Sequence, residues 1–254
     1  MRNTRGKFEL IVVPLHGRGN KGGEGAGVKI LAYKMPASPK ESWMTELLDD
    51  SLHMTHNFDP VQWDNDTADE LLIAAREGVF LLDRGEGRSK LIKLAGNEGG
   101  GAGEVRQGRL PGGRRFLATV EPMHGDRLVT YTAPGGDEQK IWQRSVVDAS
   151  LKEGHALSCG DLIGSGFDQI VVGWRSKNSE GKVGILLFTP LDREGKSWRR
   201  TVVDDNTMAC EDLSLADLDG DGRLDIVASG RATKNLKIYF NQGPPAARGR
   251  QPGL

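Results

Sequence analysis

Asp217, Asp219 and Asp221 alternate along the chain, and Asp225 follows them in the run Asp217-Leu-Asp-Gly-Asp-Gly-Arg-Leu-Asp225. Four carboxylates this close repel one another unless a cation lies between them. Calcium takes roughly six to eight oxygens at about 2.3–2.6 Å, from carboxylates and carbonyls on a tightly turned loop. The four aspartates supply the carboxylates, Arg223 offers its backbone carbonyl, and Gly220 and Gly222 permit the turn. A solvated acidic turn is the bland alternative, and it leaves the repulsion unanswered. Gln62, Asp64, Asp66 and Glu70 keep the same layout, which makes a second and weaker calcium candidate. In a third copy starting at Asp161, Ile163 and Ser165 stand where ligands would be, and this loop reads as metal-free.

The loops lie at matched places in an internal repeat, the feature to find before any other. Leu157–Val171 lies over Leu213–Val227 without a gap, and Trp142 then falls on Trp198. Trp43 also falls on Trp198, and Glu70-Leu71-Leu72 on Asp225-Ile226-Val227. A more degenerate copy runs from Phe116 to Thr132, and Phe8–Val13 matches Phe167–Val172.

Carried through the repeat, the alignment collects polar residues on the side opposite the acidic loops. His56, His155 and Glu211 begin the first strand of three units. Arg76, Arg175 and Arg231 end the second strand, with His16 at the matching place in the first unit and His53 just before His56. Antiparallel neighbours bring these ends to one rim. His124 replaces an acidic loop in this alignment and is expected nearer the opposite mouth. A lone His or Arg at a strand end ordinarily caps a turn or faces water; recurrence at matched positions weighs against that reading for the group. Imidazoles hold zinc or another divalent metal, or move protons near neutral pH. Guanidinium groups clamp carboxylates and phosphates.

The elements that would position these residues are short strands. Each unit reads as an alternating strand (His155–Leu162), an Asp/Gly turn, an apolar strand (Gln169–Trp174), then strands at Val183–Phe188 and Trp198–Asp204. No amphipathic helix is evident. Four short strands per unit predict an all-β fold, a β-propeller of four-stranded blades. About five units are expected, near 8–49, 55–94, 114–148, 155–204 and 211–243, within one domain over 1–243. The tail over 244–254, rich in Pro, Gly and Arg, reads as disordered. The first unit opens at its second strand and the last closes at its third. Either five blades close unaided, or the chain is part of a larger ring, for example one of seven blades, extending upstream of Met1; the second is the expectation.

Composition narrows the function. Among 254 residues, 35 acidic and 34 basic side chains nearly cancel, which removes the electrostatic case for nucleic acid or an anionic membrane surface. Glycine, at 35 residues, fits many tight turns. No apolar run is long enough to span a membrane. The basic start Met1–Lys7 has no apolar stretch behind it before Gly17, so no signal peptide is read. Cys159 and Cys210 read as buried thiols rather than a disulfide framework. Calcium use favours an extracytoplasmic, periplasmic or secreted setting for the full-length protein.

The pattern Asp217–Asp225 resembles the FG-GAP/VCBS repeat of integrin-α-like and bacterial extracellular propellers, over essentially Phe8 to Gly243. That resemblance implies calcium at the loop and says little about activity. The segments Ile11–Asn20, Leu52–Phe58, Gly103–Leu110, Thr119–Gly125 and Gly154–Leu157 are also similar to the propeller part of aldos-2-ulose dehydratase and its bacterial relatives. This second resemblance implies elimination of water from keto-sugars with a divalent metal, and functional histidines at His16, His56, His124 and His155.

Two functions compete. In a carbon–oxygen lyase (hydro-lyase) acting on keto-sugars or uronates, His56 or His155 would take a proton and Glu211 or Tyr131 would protonate the leaving oxygen. In a binding module, the rim loops would hold a carbohydrate, another small polar ligand or a protein without chemistry. Transition metal at the rim, beside calcium at the loops, separates the two. No G-x-S-x-G run supports a hydrolase. The Gly-rich runs 17–27 and 96–103 lack the ending of a phosphate loop.

Overall fold

The computed structural model describes residues 1–85 and 88–243. The chain is all-β, with no α-helix among the described residues and one 3₁₀ turn at Pro134–Gly136. Among the described residues, no helix is long and apolar enough to cross a membrane. The expected tail at 244–254 lies outside the described residues.

Among the described residues, eighteen strands form five antiparallel sheets. The first holds β1 (Glu9–Val12), β2 (Ile30–Lys34) and β3 (Met44–Asp49). The second holds β4 (Thr55–Val61), β5 (Glu70–Ala75), β6 (Gly78–Asp83) and β7 (Lys90–Ala95). The third holds β8 (Glu104–Arg109), β9 (Arg115–Glu121), β10 (Arg127–Thr132) and β11 (Gln143–Asp148). The fourth holds β12 (Gly154–Gly160), β13 (Gln169–Trp174), β14 (Gly184–Pro190) and β15 (Trp198–Asp205). The fifth holds β16 (Cys210–Ala216), β17 (Asp225–Gly230) and β18 (Asn235–Tyr239). In each sheet the strands pair in chain order, as a meander of short turns requires.

Successive residues of a strand point to opposite faces, so a strand buried on both faces is apolar throughout. β5 shows this directly. Leu71, Ile73 and Ala75 pack with Ile11, Ile30 and Ala32 of the first sheet. Leu72 and Ala74 pack with Val105, Leu117 and Val129 of the third. Phe116, Ala118 and Val120 meet Ile170, Val172 and Phe188 between the third and fourth sheets. Val171 and Ile185 meet Leu213, Ile226 and Ala228 between the fourth and fifth. Burial of side chains this size is worth about 1.5–3 kcal/mol each relative to exposure. These four cores stack the sheets face to face, and β4, β8, β12 and β16 run side by side. The first sheet is tied to the second where the Thr55 amide donates to the Leu15 carbonyl at 3.0 Å and the Val28 amide to the Leu52 carbonyl at 2.6 Å. Among the described residues, no strand pairing joins the first sheet to the fifth.

Two details depart from the repeat read in the sequence. The third unit starts at Glu104, with β8, and not near residue 114. β8 reads Glu-Val-Arg-Gln-Gly-Arg and carries one large apolar residue, so its pattern is faint. The first unit is slipped by one residue. Glu9, Glu70, Gln169 and Asp225 are the buried polar residues that open β1, β5, β13 and β17. The sequence match had set Leu10 over Gln169, and a one-residue slip exchanges the two faces of a strand.

Candidate functional site

The ladder register breaks at one place in three of the first strands. In β12 it slips between Gly154 and Ala156, which leaves His155 unpaired. In β16 it slips between Cys210 and Asp212, around Glu211. In β4 it slips between Thr55 and Phe58, around His56 and Asn57. A bulge releases one residue from the ladder and re-aims its side chain. The equivalent positions His56, His155 and Glu211 are thus the residues the backbone presents outside the pleat.

β8 has no such bulge, and the third sheet supplies its histidine from the β9–β10 turn. With β8 as first strand, that turn joins the second and third strands and lies at the end where first strands begin. His124 therefore joins His56 and His155 instead of lying at the opposite mouth as the alignment predicts. Glycines make the approach feasible: a Cβ on Gly103 would sit 2.0 Å from the Met123 carbonyl oxygen, and one on Gly125 1.9 Å from that of Glu121.

The three rings form a compact group. Ring centroids are 4.4 Å apart for His56 and His124, 4.7 Å for His124 and His155, and 5.2 Å for His56 and His155. One nitrogen from each ring lies within 4.8 Å of the others. The Nε2 atoms of His124 and His56 are 2.5 Å apart. His56 Nδ1 donates to the Gly103 carbonyl at 2.7 Å, and His155 Nδ1 to the Glu211 carbonyl at 2.8 Å. Carbonyls accept only, so both tautomers are fixed with the Nε2 lone pair facing the group. Loss of surrounding water, then the neighbouring His56, His155 and Arg175, push His124 down to about 4, so it is neutral at pH 7. Burial lowers His56, but Glu104 and the Gly103 carbonyl outweigh it and raise the ring above its usual value. Three imidazoles with ring nitrogens this close could hold a metal ion.

Carboxylates flank the group. Glu104 is 1% exposed. Its Oε2 accepts from Asn57 Nδ2 at 2.5 Å, while its Oε1, 3.4 Å from His56 Nδ1, has no hydrogen-bond partner. Glu211 Oε1 lies 4.0 Å from His155 Nε2, accepts from Arg175 Nη1 at 2.9 Å and faces Arg231 Nη1 at 3.6 Å. Glu153 holds the other side of Arg175 at 3.3 Å. A cavity of about 290 Å³ opens beside His124, lined by Asp126, Arg127, Lys152 and Glu153 among others. A larger one, about 490 Å³, lies away from the histidines against Arg84, Lys34 and the Asn3–Glu9 segment.

Other sequence candidates fall elsewhere. Arg76 hydrogen-bonds the Gly22 carbonyl. His53 lies 3.3 Å from Glu77, and His16 pairs with Met54. Tyr131 is 2% exposed and donates to Glu121 Oε1 at 2.5 Å, while Arg144 holds the other oxygen at 2.8 Å. That hydroxyl is buried in the core. Sequence reasoning missed Glu104, Asn57 and Glu153. Glu104 was findable, because it opens the first strand of its sheet as His56 and Glu211 nearly do.

At the acidic loop, carboxylate oxygens of Asp217, Asp219 and Asp225 come together. Gly220 and Gly222 have φ of 79° and 83°, the left-handed region the turn needs. Asp221 turns aside to the Arg223 guanidinium, whose Nε donates to the Asn241 carbonyl at 2.8 Å. At the second loop the group is Asp64, Glu70 and Asp83. Asp83 comes from β6, beyond the loop, and no spacing argument reaches it. Gln62 instead braces the loop backbone, donating to the Asp66 carbonyl at 2.8 Å and the Ala68 carbonyl at 2.9 Å. Asp66 caps its own turn by accepting from the Ala68 amide. Glu70 is 1% exposed with one oxygen unpartnered. Burial, then Asp64, Asp66 and Asp83, push its carboxyl up to about 7. In the third loop, Asp161 accepts from the Ser165 and Gly166 amides, and the Gln169 side chain takes the place of the closing acid. Both cysteines are free thiols, and burial pushes Cys210 up to about 12.

No family model matches this sequence, and no curated protein matches it.

Proposed function

We propose that the chain is a calcium-binding β-propeller that holds a divalent transition metal at His56, His124 and His155 and acts as a carbon–oxygen lyase on keto-sugars or uronates. The five stacked sheets with first strands side by side support the blade reading. The convergence of three imidazoles, two of them with tautomers fixed by backbone carbonyls, carries the functional one. When bound, zinc or a similar ion would polarise a substrate carbonyl and acidify the adjacent C–H.

The histidines serve as ligands in this reading, so the base is a flanking carboxylate, and Glu211 is the one that lies beside His155 Nε2 and, unlike Glu104, is not buried. Glu211 takes the proton next to the carbonyl. The C–H pair becomes the new C=C bond, and the β-hydroxyl departs with the proton that Glu211 returns to it, which releases water. Arg175 and Arg231 hold the Glu211 carboxylate in place. Arg127 and Lys152, together with Asp126 and Glu153, line the adjoining cavity with charged groups suited to sugar hydroxyls.

The test is metal content together with product formation. Purified protein is to contain transition metal besides calcium, and to generate an unsaturated carbonyl product, read by ultraviolet absorbance, from keto-sugars or uronates. Metal present with glycan binding but no product on a broad substrate panel would leave the binding-module reading. Absence of both metal uptake and ligand binding would make the cluster structural.

A further inference from the structure

The first and second sheets share a local arrangement and carry opposite charge in it. Glu9 and Glu70 are the buried acids that open β1 and β5. Glu70 meets Asp83, the last residue of β6, and with Asp64 the three form an acidic group. Glu9 stands opposite Lys34, the last residue of β2, so a base takes the place of the second acid. A further positive charge reaches this spot from the second sheet. Phe80 and Leu82 pack toward the first sheet, and Arg84, two residues on, continues toward Glu9. Arg84 Nη2 donates to Glu9 Oε2 at 2.7 Å, while Asn3 Nδ2 donates to Glu9 Oε1 at 2.8 Å. Both oxygens of Glu9 are thereby engaged. Arg84 is 8% exposed, and its Nη1 is buried with no hydrogen-bond partner among the described residues. A buried charged donor without an acceptor is costly, and it calls for a partner.

Arg84 lines the larger cavity, whose volume of about 490 Å³ falls in the range of small-molecule sites, roughly 300–1,000 Å³. Four basic residues line it, Arg5, Lys7, Lys34 and Arg84, against two acids, Glu9 and Glu46, which leaves a surplus of two positive charges. The acids are spent, Glu9 on Arg84 at 2.7 Å and Glu46 on Lys34 at 2.8 Å. Arg5 and Lys7 are exposed. The Asn3 side chain holds the turn that carries them, its Oδ1 accepting from both of their amides at 3.0 Å. Asn3, Thr4 and Ser89 add uncharged hydrogen-bonding groups to the lining. We infer that this cavity binds a phosphate monoester. Its phosphoryl group carries close to two negative charges at neutral pH and supplies the acceptor that Arg84 Nη1 lacks. A carboxylate would answer only one of the two charges. The cavity holds more than the phosphoryl group alone, and the alcohol part lies against Asn3, Thr4 and Ser89. The site lies between two sheets that are already packed on each other, and it is independent of the histidine group.

Isothermal titration calorimetry of the full chain with glycerol phosphate, inorganic phosphate and glycerol tests it. Glycerol phosphate is expected to bind saturably at a single site, inorganic phosphate more weakly, and glycerol not at all. Arg84→Gln removes the buried donor and is expected to raise the dissociation constant at least about tenfold. Arg5→Ser combined with Lys7→Ser changes exposed side chains only. That double variant is expected to weaken binding to a similar degree with an unchanged melting temperature, and it carries the test should Arg84→Gln melt early through loss of the Glu9 pair. Inorganic phosphate binding as tightly as the ester would make the free ion the ligand and overturn the monoester. The absence of saturable heat from either phosphate overturns the site, and so does binding that both variants leave unchanged.

Discussion

His155 donates through Nδ1 to the backbone carbonyl of Glu211, 2.8 Å away in the neighbouring sheet. Both residues are bulge residues of their first strands. The ring of one sheet is thus aimed by the same irregularity that exposes the carboxylate of the next, and the same imidazole's Nε2 lies 4.0 Å from that carboxylate. The proposed ligand and the proposed base share this one hydrogen bond.

Removing a ligand is expected to remove the metal. His124→Ala should lower zinc or cobalt affinity at least about a hundredfold, since loss of a mere supporting partner already costs roughly 10–100-fold. Circular dichroism should be unchanged, because His124 lies in an exposed turn. Cobalt(II) absorption of parent and variant is the measurement; identical spectra would count against the site.

Glu211→Gln keeps the shape of the side chain and the His155–carbonyl bond while removing the base. Turnover is expected to fall about 10²–10⁴-fold. Metal content should stay near the parent's, which separates this loss from that of His124→Ala.

Calcium is expected to stabilise the fold through Asp217, Asp219 and Asp225. Asp219→Ala should abolish the difference in melting temperature between calcium and chelator at that loop, a difference set by about 2.7 kcal/mol at a hundredfold excess over the dissociation constant. Asp221→Ala should do less, since Asp221 is turned to Arg223. A parent melting curve indifferent to chelator would end the calcium assignment.

Asp204 is expected to contribute acid-sensitive stability. Burial raises its carboxyl, but hydrogen bonds from Thr207, Tyr239 and Lys237 outweigh that and hold it below the usual aspartate value. The depressed folded value means the contribution is present above the unfolded value, about 3.9, and is lost as pH falls through the folded one. Asp204→Asn should therefore destabilise at pH 7, with the difference from the parent closing in strongly acidic buffer. Urea melts at the two pH values measure it, and a constant difference would refute the assignment.

The all-β class and most of the units were legible, because apolar strands bounded by Gly and Asp give a strong periodic signal. Residues in the repeat's own register, such as His56, His155 and Glu211, could be placed from spacing alone. His124 was misplaced for a physical reason: β8 is too polar to announce itself, so the third unit was counted from its second strand. Asp83 was out of reach because only pairing between β5 and β6 brings it to Glu70. The spent side chains of Gln62 and Asp221 were equally hidden, since a sequence shows which groups can bind a cation but not which are already occupied by their own loop.

The bulges have an evolutionary corollary. A residue outside the ladder carries no cross-strand partner, so the sheet's hydrogen bonding is indifferent to what stands there. The repeat already displays the latitude, with histidine at two of these positions and glutamate at a third on nearly the same backbone. A change at 56, 155 or 211 thus leaves the backbone ladder of its own sheet intact and alters only the side-chain bonds that reach the next sheet, His56 to the Gly103 carbonyl and His155 to the Glu211 carbonyl.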